Sequence, residues 1–437
     1  MAEIIMAFAP LVFLIVYALK TRKMADAMIL ATLLAMVLLH RQHFLTDAID
    51  ALYGALSNSS YQFVLCITIG FGGMITLFQE SGALMGFRDL LLKAARGPKR
   101  TLVLAWVMSA VMFVDEYLNA LAVTFSMREI TDRNRIPREH LAVQANVMAC
   151  CLCMTVPFSS WTAFTVGLVS EYGLGFGDYL RAIPYMLYLL CMMLVCLLLA
   201  VGAFPKAGVL KRAYRRVKAE KLVDVADVDE SRASSAWNAV VPLAVLVGGT
   251  IIFDNDLIHG MVLAIIAQFL LYVPQKLMTV GRFFEHFFNG AKGMTSLAIV
   301  VCFGFVLSEA NRQLGLFDIL INGIGSTVPG YLVPPLAFLL VGATVFAVGG
   351  CWVVMTIAIP VFVPLALSMG VTAPVIIAAV MSGIGLGYST CFYADAVFMT
   401  TAGTGVSNIT IIKATLPYAA GAAAVAAAGF LLCGILA

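Results

Sequence analysis

Long apolar segments, separated by short polar ones, follow one another along almost the whole chain. The most continuous of them are residues 4–19, 24–39, 61–78, 184–204, 237–253, 260–273, 294–307 and 414–436. Most approach the roughly 20 residues that an α-helix needs to cross the hydrocarbon core of a bilayer. The pattern predicts an all-α polytopic membrane protein with about ten full spans, in addition to two helical hairpins that enter the membrane and return.

Composition supports this interpretation. Of the 437 residues, 62% are hydrophobic and 12% are charged, and the mean hydropathy is +0.98, whereas a soluble protein carries about 25% charged residues. The net charge of +3 says little by itself. We expect membrane lipid and a small ion or solute as partners, and no nucleic acid. The ten cysteines lack the spacing of a metal site. Without a recognisable nucleophile–base set or phosphate loop, we expect neither an enzyme nor a cofactor.

The distribution of Lys and Arg predicts the orientation, because basic loops stay on the cytoplasmic side. Lys20, Arg22 and Lys23 follow the first apolar segment. That segment lacks the basic start and the cleavage site of a signal peptide, so we expect it to be retained as an anchor. We therefore expect both termini on the extracytoplasmic side of a bacterial inner membrane.

Residues 101–127 are apolar but have basic residues at both ends, such as Lys99 before them and Arg128 after them. A full crossing would move one basic end outside, whereas a re-entrant hairpin keeps both ends in the cytoplasm. Each arm would hold ~13 residues, or about 20 Å of helix. The tip of the hairpin, with Asp115 and Glu116, would then lie near the middle of the membrane.

The second half of the sequence predicts the same order of elements with the opposite orientation in the membrane. The predicted units are an N-terminal half (1–203), a cytoplasmic linker (204–236) and a C-terminal half (237–437). Each half has a hairpin (101–127 and 333–367) and a broken helix (141–170 and 373–404, the latter interrupted around 383–395). This arrangement leaves three of the 27 basic residues outside, Arg41, Arg181 and Arg312.

A weak internal repeat supports the division. Residues 81–89 resemble residues 311–318, and each of the two segments precedes a predicted hairpin. Residues 157–162 in the first broken helix align with 391–396 in the second. Inverted repeats with broken helices are typical of secondary transporters, whose binding sites lie at the midplane where the breaks meet. The pattern favours this class over a channel, in which broken helices also occur.

Acids inside the membrane identify the candidate site, because charged groups at that depth persist mainly where they bind ions, carry protons or meet a substrate. The predicted site comprises Asp115, Glu116, Asn119, Ser159, Ser160, Trp161, Thr162, Trp352, Ser389, Thr390, Tyr393 and Asp395. Carboxylate and amide oxygens suit a hard cation, so Asp115, Asn119 and Asp395 form the candidate sodium site. Burial also favours the protonated carboxyl, which would allow exchange of a proton for the cation.

Each assignment has a structural alternative. Glu116 could face the cytoplasmic vestibule, and serine and threonine hydroxyls commonly bond to their own helix backbone. The aromatic residues Trp161, Trp352 and Tyr393 flank the predicted breaks. They could line a pocket for an organic solute, although packing in the core is the more common use.

At these motifs the chain resembles the NhaC-type sodium/proton antiporter family, over roughly residues 72–418. Residues 113–121 read Phe-Val-Asp-Glu-Tyr-Leu-Asn-Ala-Leu, similar to the family's Phe-Phe-Asp-Asp-Tyr-x-Asn. Residues 157–161, Pro-Phe-Ser-Ser-Trp, are similar to its Pro-Ile-Ser-Thr-Trp. The resemblance implies an antiporter with scaffold and mobile transport regions, and for many members a homodimer.

The second broken helix departs from the family pattern, Gly-Asp-His-x-Ser-Pro-Ile-Ser-Asp-Thr. Here residues 387–396 read Gly-Tyr-Ser-Thr-Cys-Phe-Tyr-Ala-Asp-Ala, so Asp395 is retained while the Asp-His pair is replaced. Two functions therefore stay open. The first is sodium/proton antiport by alternating access, with sodium and proton as the coupling ions. The second is sodium- or proton-coupled transport of a small organic solute, namely an amino acid, organic acid or organic cation.

Overall fold

The computed structural model describes residues 2–21, 24–83, 86, 97–113, 116–219, 234–253, 256–315, 319, 328–392 and 394–436. Within these ranges every regular element is an α-helix or a short 3₁₀ helix. This confirms the predicted all-α class.

The first part of the chain, up to residue 219, contains eleven described α-helices, the last of which lies in the predicted linker. They are α1 (Ala2–Thr21), α2 (Met24–His40), α3 (Phe44–Ser57), α4 (Ser59–Glu80), α5 (Pro98–Val111), α6 (Glu116–Arg133), α7 (Arg138–Thr155), α8 (Ser160–Val169), α9 (Phe176–Ala182), α10 (Leu187–Val201) and α11 (Gly208–Ala219).

The second part repeats much of this order. Its helices are α12 (Trp237–Ile252), α13 (Leu257–Tyr272), α14 (Val280–Gly293), α15 (Thr295–Gln313), α16 (Val333–Val348), α17 (Cys351–Ser368), α18 (Ala373–Thr390), α19 (Asp395–Thr404) and α20 (Asn408–Leu436).

Several helices have the length and apolar composition of membrane spans. Among the described residues five qualify singly, and up to seven qualify if each of two bent pairs counts as one span. The bent pairs are α7 with the segment 160–172, at 45°, and residues 176–185 with α10, at 54°. The chain is thus an integral membrane protein with broken helices, while the prediction of about ten spans stays a prediction.

The first broken helix bends where the sequence contains proline. Helix α7 ends at Thr155 and α8 begins at Ser160, with Pro157 between them. Proline lacks the N–H that would continue the helix and clashes with the preceding turn. The predicted broken helix at 141–170 therefore corresponds to α7 and α8, joined by residues 156–159.

The second broken helix is interrupted over a shorter stretch than the predicted 383–395. Helix α18 continues through three glycines to Thr390, and α19 begins at Asp395. Two of the glycines allow α18 to approach α16 closely instead of ending the helix. A Cβ added to Gly383 would lie 2.6 Å from the carbonyl oxygen of Phe338, and one on Gly387 would lie 2.5 Å from that of Gly342.

Both predicted hairpins contain two helices with a turn between them. In the first, Asn119 of α6 donates through Nδ2 to the carbonyl oxygens of Ser109 (2.8 Å) and Met112 (3.2 Å) at the end of α5. These bonds hold the two arms together at the tip. In the second, Gly349 ends α16 with φ +75°, a conformation that glycine adopts without strain.

Helix α11, in the predicted linker, packs against α7 through its apolar side and exposes its basic side. Tyr214 Oη lies 2.6 Å from Nδ1 of the buried His140, and Arg216 pairs with Glu139 at 2.9 Å. Lys206 Nζ lies 3.6 Å above the Tyr214 ring. Burial raises the pKa of Tyr214, and burial followed by the nearby Lys218 lowers the pKa of Lys206. The linker is thus attached to the first broken helix.

Candidate functional site

Four helix ends from both halves of the chain meet in the interior. They are the starts of α6, α8 and α17 and the end of α18, and they bring Glu116, Trp161, Trp352 and Tyr388 together. Each start follows a hairpin tip or a helix break, where the backbone changes direction. The candidate site therefore lies where inverted-repeat transporters place their binding sites.

Glu116 is the acidic group of this site. It is the first residue of α6 and is fully buried. Its Oε2 atom accepts a hydrogen bond of 2.6 Å from Nε1 of Trp161. A carboxylate in the first turn is favoured by the helix dipole, and a hydrogen bond to an ionised acceptor is stronger than a neutral one. Glu116 thus faces the protein interior, not a solvated vestibule.

The break between α7 and α8 positions Trp161. Ser159 caps α8 by accepting a hydrogen bond from the Thr162 N–H at 3.2 Å, and its hydroxyl also bonds to the carbonyl of Cys153. The Thr162 hydroxyl donates to the carbonyl of Val156 at 2.9 Å. Both hydroxyls therefore satisfy backbone groups that the break leaves without helical partners. Ser160 is the first residue of α8 and is half-buried.

An aromatic cluster contacts Glu116 through Trp161. The ring centroids of Trp161 and Trp352 are 4.2 Å apart with 31° between the planes, and Tyr388 lies 5.9 Å from Trp161. Phe164 contacts Trp352 edge-on at 4.9 Å. Trp161 belongs to the first repeat and Trp352 to the second, and each is the second residue of its helix. The cluster thus connects the two halves at the site.

Polar residues surround the second break as well. The Ser389 hydroxyl lies 2.9 Å from the Tyr188 hydroxyl, and the Ser389 carbonyl accepts from Asn146 Nδ2 at 3.1 Å. The Thr390 hydroxyl donates to the carbonyl of Leu386 at 2.6 Å, within its own helix. Tyr388 accepts from the backbone N–H of Ala396 at 3.3 Å, so the end of α18 is bonded to the start of α19.

Several buried oxygens near the hairpin tip and the breaks have no hydrogen-bond partner within the described part of the chain. Among the described residues, Ser109 Oγ, Asn119 Oδ1 and Asn146 Oδ1 are buried without a hydrogen-bond partner. Buried polar atoms normally have partners, and hydroxyl and amide oxygens coordinate hard cations. No group of three or more His, Cys, Asp or Glu side chains that could hold a metal ion occurs in this part of the chain.

The side chains of three predicted site residues lie outside the described part of the structure. Asp115 and Tyr393 lie outside the described residues. Asp395 is the first residue of α19, and its side chain also lies outside what is described. Of the other predicted residues, the structure places Asn119 at the hairpin tip and Trp352 against Trp161.

Sequence reasoning missed Ser109, Asn146, Tyr188 and Tyr388. Asn146 could have been noticed as a polar residue within an apolar stretch. Its contact with Ser389 could not, because it depends on the packing of α7 against α18.

Comparisons with known proteins agree with this architecture. A model of the Na+/H+ antiporter family matches residues 152–435, more than half of the chain. The chain belongs to the Na+/H+ antiporter family. Family membership makes it a secondary transporter in the membrane. The name of the family implies sodium and protons as coupling ions. An uncharacterized protein of Haemophilus influenzae is 22% identical to it over 416 residues, which cover 86% of this chain and 79% of that protein.

Solved structures show the same fold. The YdaH transporter of Alcanivorax borkumensis aligns with a TM-score of 0.62 and 15% identity, over 91% of this chain and 89% of that one. MtrF of Neisseria gonorrhoeae, from a class of antimetabolite efflux pumps, aligns with a TM-score of 0.50 and 12% identity, over 89% and 83%. At these identities the likeness concerns the fold alone.

Proposed function

We propose that this member of the family exchanges sodium for protons across the membrane by alternating access. The observation that carries the proposal is the placement of Glu116, fully buried where both halves meet. A buried carboxylate far from water is stable only if a proton, a cation or a donor compensates its charge. Because a proton and a sodium ion would compete for the same group, binding of one would release the other.

The sodium ligands that we propose combine acids with neutral oxygens. Beside Glu116, the candidates are Asp115, Asn119 and Asp395, and the unpartnered buried oxygens of Ser109 and Asn146 support a site with several oxygen ligands. The hydroxyls of Ser159, Thr162 and Thr390 are used by the helix breaks. We assign these three hydroxyls a supporting role, in which they fix the geometry of the break.

Proteoliposomes with an imposed sodium gradient and a pH-sensitive dye inside test this function. We expect sodium entry to drive proton exit, and Glu116→Gln to abolish the coupled flux because its amide cannot take up a proton. The control is Glu285→Gln, on α14 outside the site, which should transport normally. Coupled flux of unchanged rate in Glu116→Gln would contradict the proposal.

A second candidate is ion-coupled transport of an organic cation or zwitterion. The aromatic cluster that contacts Glu116 through Trp161 favours it, because tryptophan faces bind cations and a bare sodium ion needs no aromatic residues. The chain also shares its fold with MtrF, one of a class of antimetabolite efflux pumps. Uptake of radiolabelled amino acids and quaternary amines into the same proteoliposomes distinguishes the two candidates, since solute uptake driven by a sodium or pH gradient occurs only in the second.

We further propose a homodimer in a bacterial inner membrane, with both termini extracytoplasmic. The distribution of basic residues supports this orientation. Labelling of single cysteines placed at residues 3 and 435 with a membrane-impermeant reagent in intact spheroplasts tests it. Protection of both positions would contradict the orientation.

A further inference from the structure

Trp161 is held on its edge by one half of the protein and on its face by the other. Its N–H donates to Glu116 Oε2 at 2.6 Å, and its ring packs against Trp352 with centroids 4.2 Å apart. Both Trp161 and Glu116 are fully buried. The indole N–H is a donor only, so the tryptophan gains from the contact only while the carboxylate oxygen is available to accept.

The contact between Trp161 and Glu116 bears on how an ion is released from a buried carboxylate. An ion that compensates a buried carboxylate is hard to release, because its departure leaves an uncompensated charge away from water. A donor that approaches the same oxygen stabilises the ionised, ion-free carboxylate. Trp161 is placed to be that donor, and it lies in the first turn after a helix break, where a small change in backbone angle moves the indole.

We propose that Trp161 is a positioning residue that replaces the departing ion on Glu116 and thereby sets the affinity of the site for its cation. Sodium binding weakens the bond between the indole N–H and the carboxylate, and sodium release restores it. Since the ring of Trp161 packs on Trp352, a movement of the indole on ion binding or release also moves Trp352 and the second hairpin. This inference rests on the proposed sodium-coupled function.

Transport kinetics provide the first test. Trp161→Phe keeps a large ring and removes the N–H, so sodium should bind more tightly and leave more slowly. We expect the sodium KM and the maximal rate to fall together, each by roughly ten- to a hundredfold, the factor that corresponds to the loss of a hydrogen bond to a charged group. Trp106→Phe is the matched control, because it also removes an indole N–H, one that donates to the carbonyl oxygen of Met193 at 3.2 Å and takes no part in the site, and its sodium KM should stay the same.

A merely structural role for Trp161 gives a different result. Damage to packing lowers the maximal rate while the sodium KM stays the same or rises. An unchanged or higher KM in Trp161→Phe, measured with protein that elutes as a single species on size-exclusion chromatography, therefore overturns the inference.

The hydrogen bond can also be observed directly, even if Trp161→Phe does not fold. The chain has four tryptophans, and replacing Trp106 and Trp237 with Phe leaves the stacked pair. The indole N–H hydrogen-bond marker in ultraviolet resonance Raman spectra should shift to a weaker bond at saturating sodium. A protein retaining only Trp161 should show the same shift, which assigns it to that indole. A marker that is identical with and without sodium overturns the inference.

Failure of the proposed function has a separate signature. If the unmodified protein neither binds radioactive sodium nor moves it, sodium coupling is wrong and this inference fails with it. If the unmodified protein transports sodium and only the Trp161 experiments fail, the proposed function stands and the role of Trp161 is wrong.

Discussion

The close packing of α18 against α16 of the second hairpin can be tested with a substitution at Gly387. A Cβ on Gly387 would lie 2.5 Å from the carbonyl oxygen of Gly342, 2.5 Å from Cβ of Val345 and 2.8 Å from the backbone nitrogen of Phe346. These atoms are backbone or directly attached to it, so no side-chain rotation can make room. Gly387→Ala must therefore push the two helices apart.

The size of the effect follows from this geometry. Ordinary van der Waals contact begins at 3.4 Å, so the helices must separate locally by roughly 1 Å, and overpacking of this kind costs about 1–3 kcal/mol. Alanine also raises helix propensity by about 1 kcal/mol over glycine. Gly421→Ala on α20 is the matched control, because it gains the same propensity and its Cβ meets nothing within 4 Å.

Thermal unfolding of both variants, followed by size-exclusion chromatography with fluorescence detection, measures the difference. We expect Gly387→Ala to be less stable than Gly421→Ala by about 1–3 kcal/mol. We also expect slower transport, because Gly387 precedes Tyr388 of the site. If Gly387→Ala is as stable as Gly421→Ala, the close helix contact does not exist as described.

Three further results are expected. Asn119→Ala removes both bonds across the hairpin tip and should destabilise the protein by about 1–3 kcal/mol; melting no lower than that of wild type would refute this role. Asp115→Asn and Asp395→Asn should each abolish coupled flux in proteoliposomes with folded protein retained, and near-normal flux in either would remove that residue from the site. Tyr214→Phe leaves His140 Nδ1 without its described partner and should speed proteolysis within α11, whereas unchanged cleavage would argue against this attachment.

The sequence predicted the architecture well because its signals were strong and local. Apolar segments of membrane length indicated the all-α class, and Pro157 indicated the break between α7 and α8. The glycines of α18 were ambiguous, because glycine suits both a helix break and a close approach of two helices. Only the position of α16 shows that Gly383 and Gly387 serve the second purpose.

The site was predictable in composition but not in its contacts. The acidic pair at residues 115–116 indicated a membrane-depth charge, yet periodicity could not tell whether Glu116 faces the interior. That depends on Trp161, which is 45 residues away along the chain. The hydroxyls of Ser159 and Thr162 were equally ambiguous, since a potential cation ligand and a helix cap have the same sequence signal.

The first hairpin has a consequence for how the protein is made. Neither α5 nor α6 is among the described helices that are long and apolar enough to cross a membrane, and inserting an acid such as Asp at the centre of a helix costs about 2.5–3.5 kcal/mol at the translocon. Trp161, the partner of Glu116, packs against Trp352 and Tyr388, which the ribosome synthesises only after most of the chain. We therefore expect the hairpin to reach its final place after the second half has been inserted, so that nascent chains ending before residue 333 are substrates for membrane quality-control proteases.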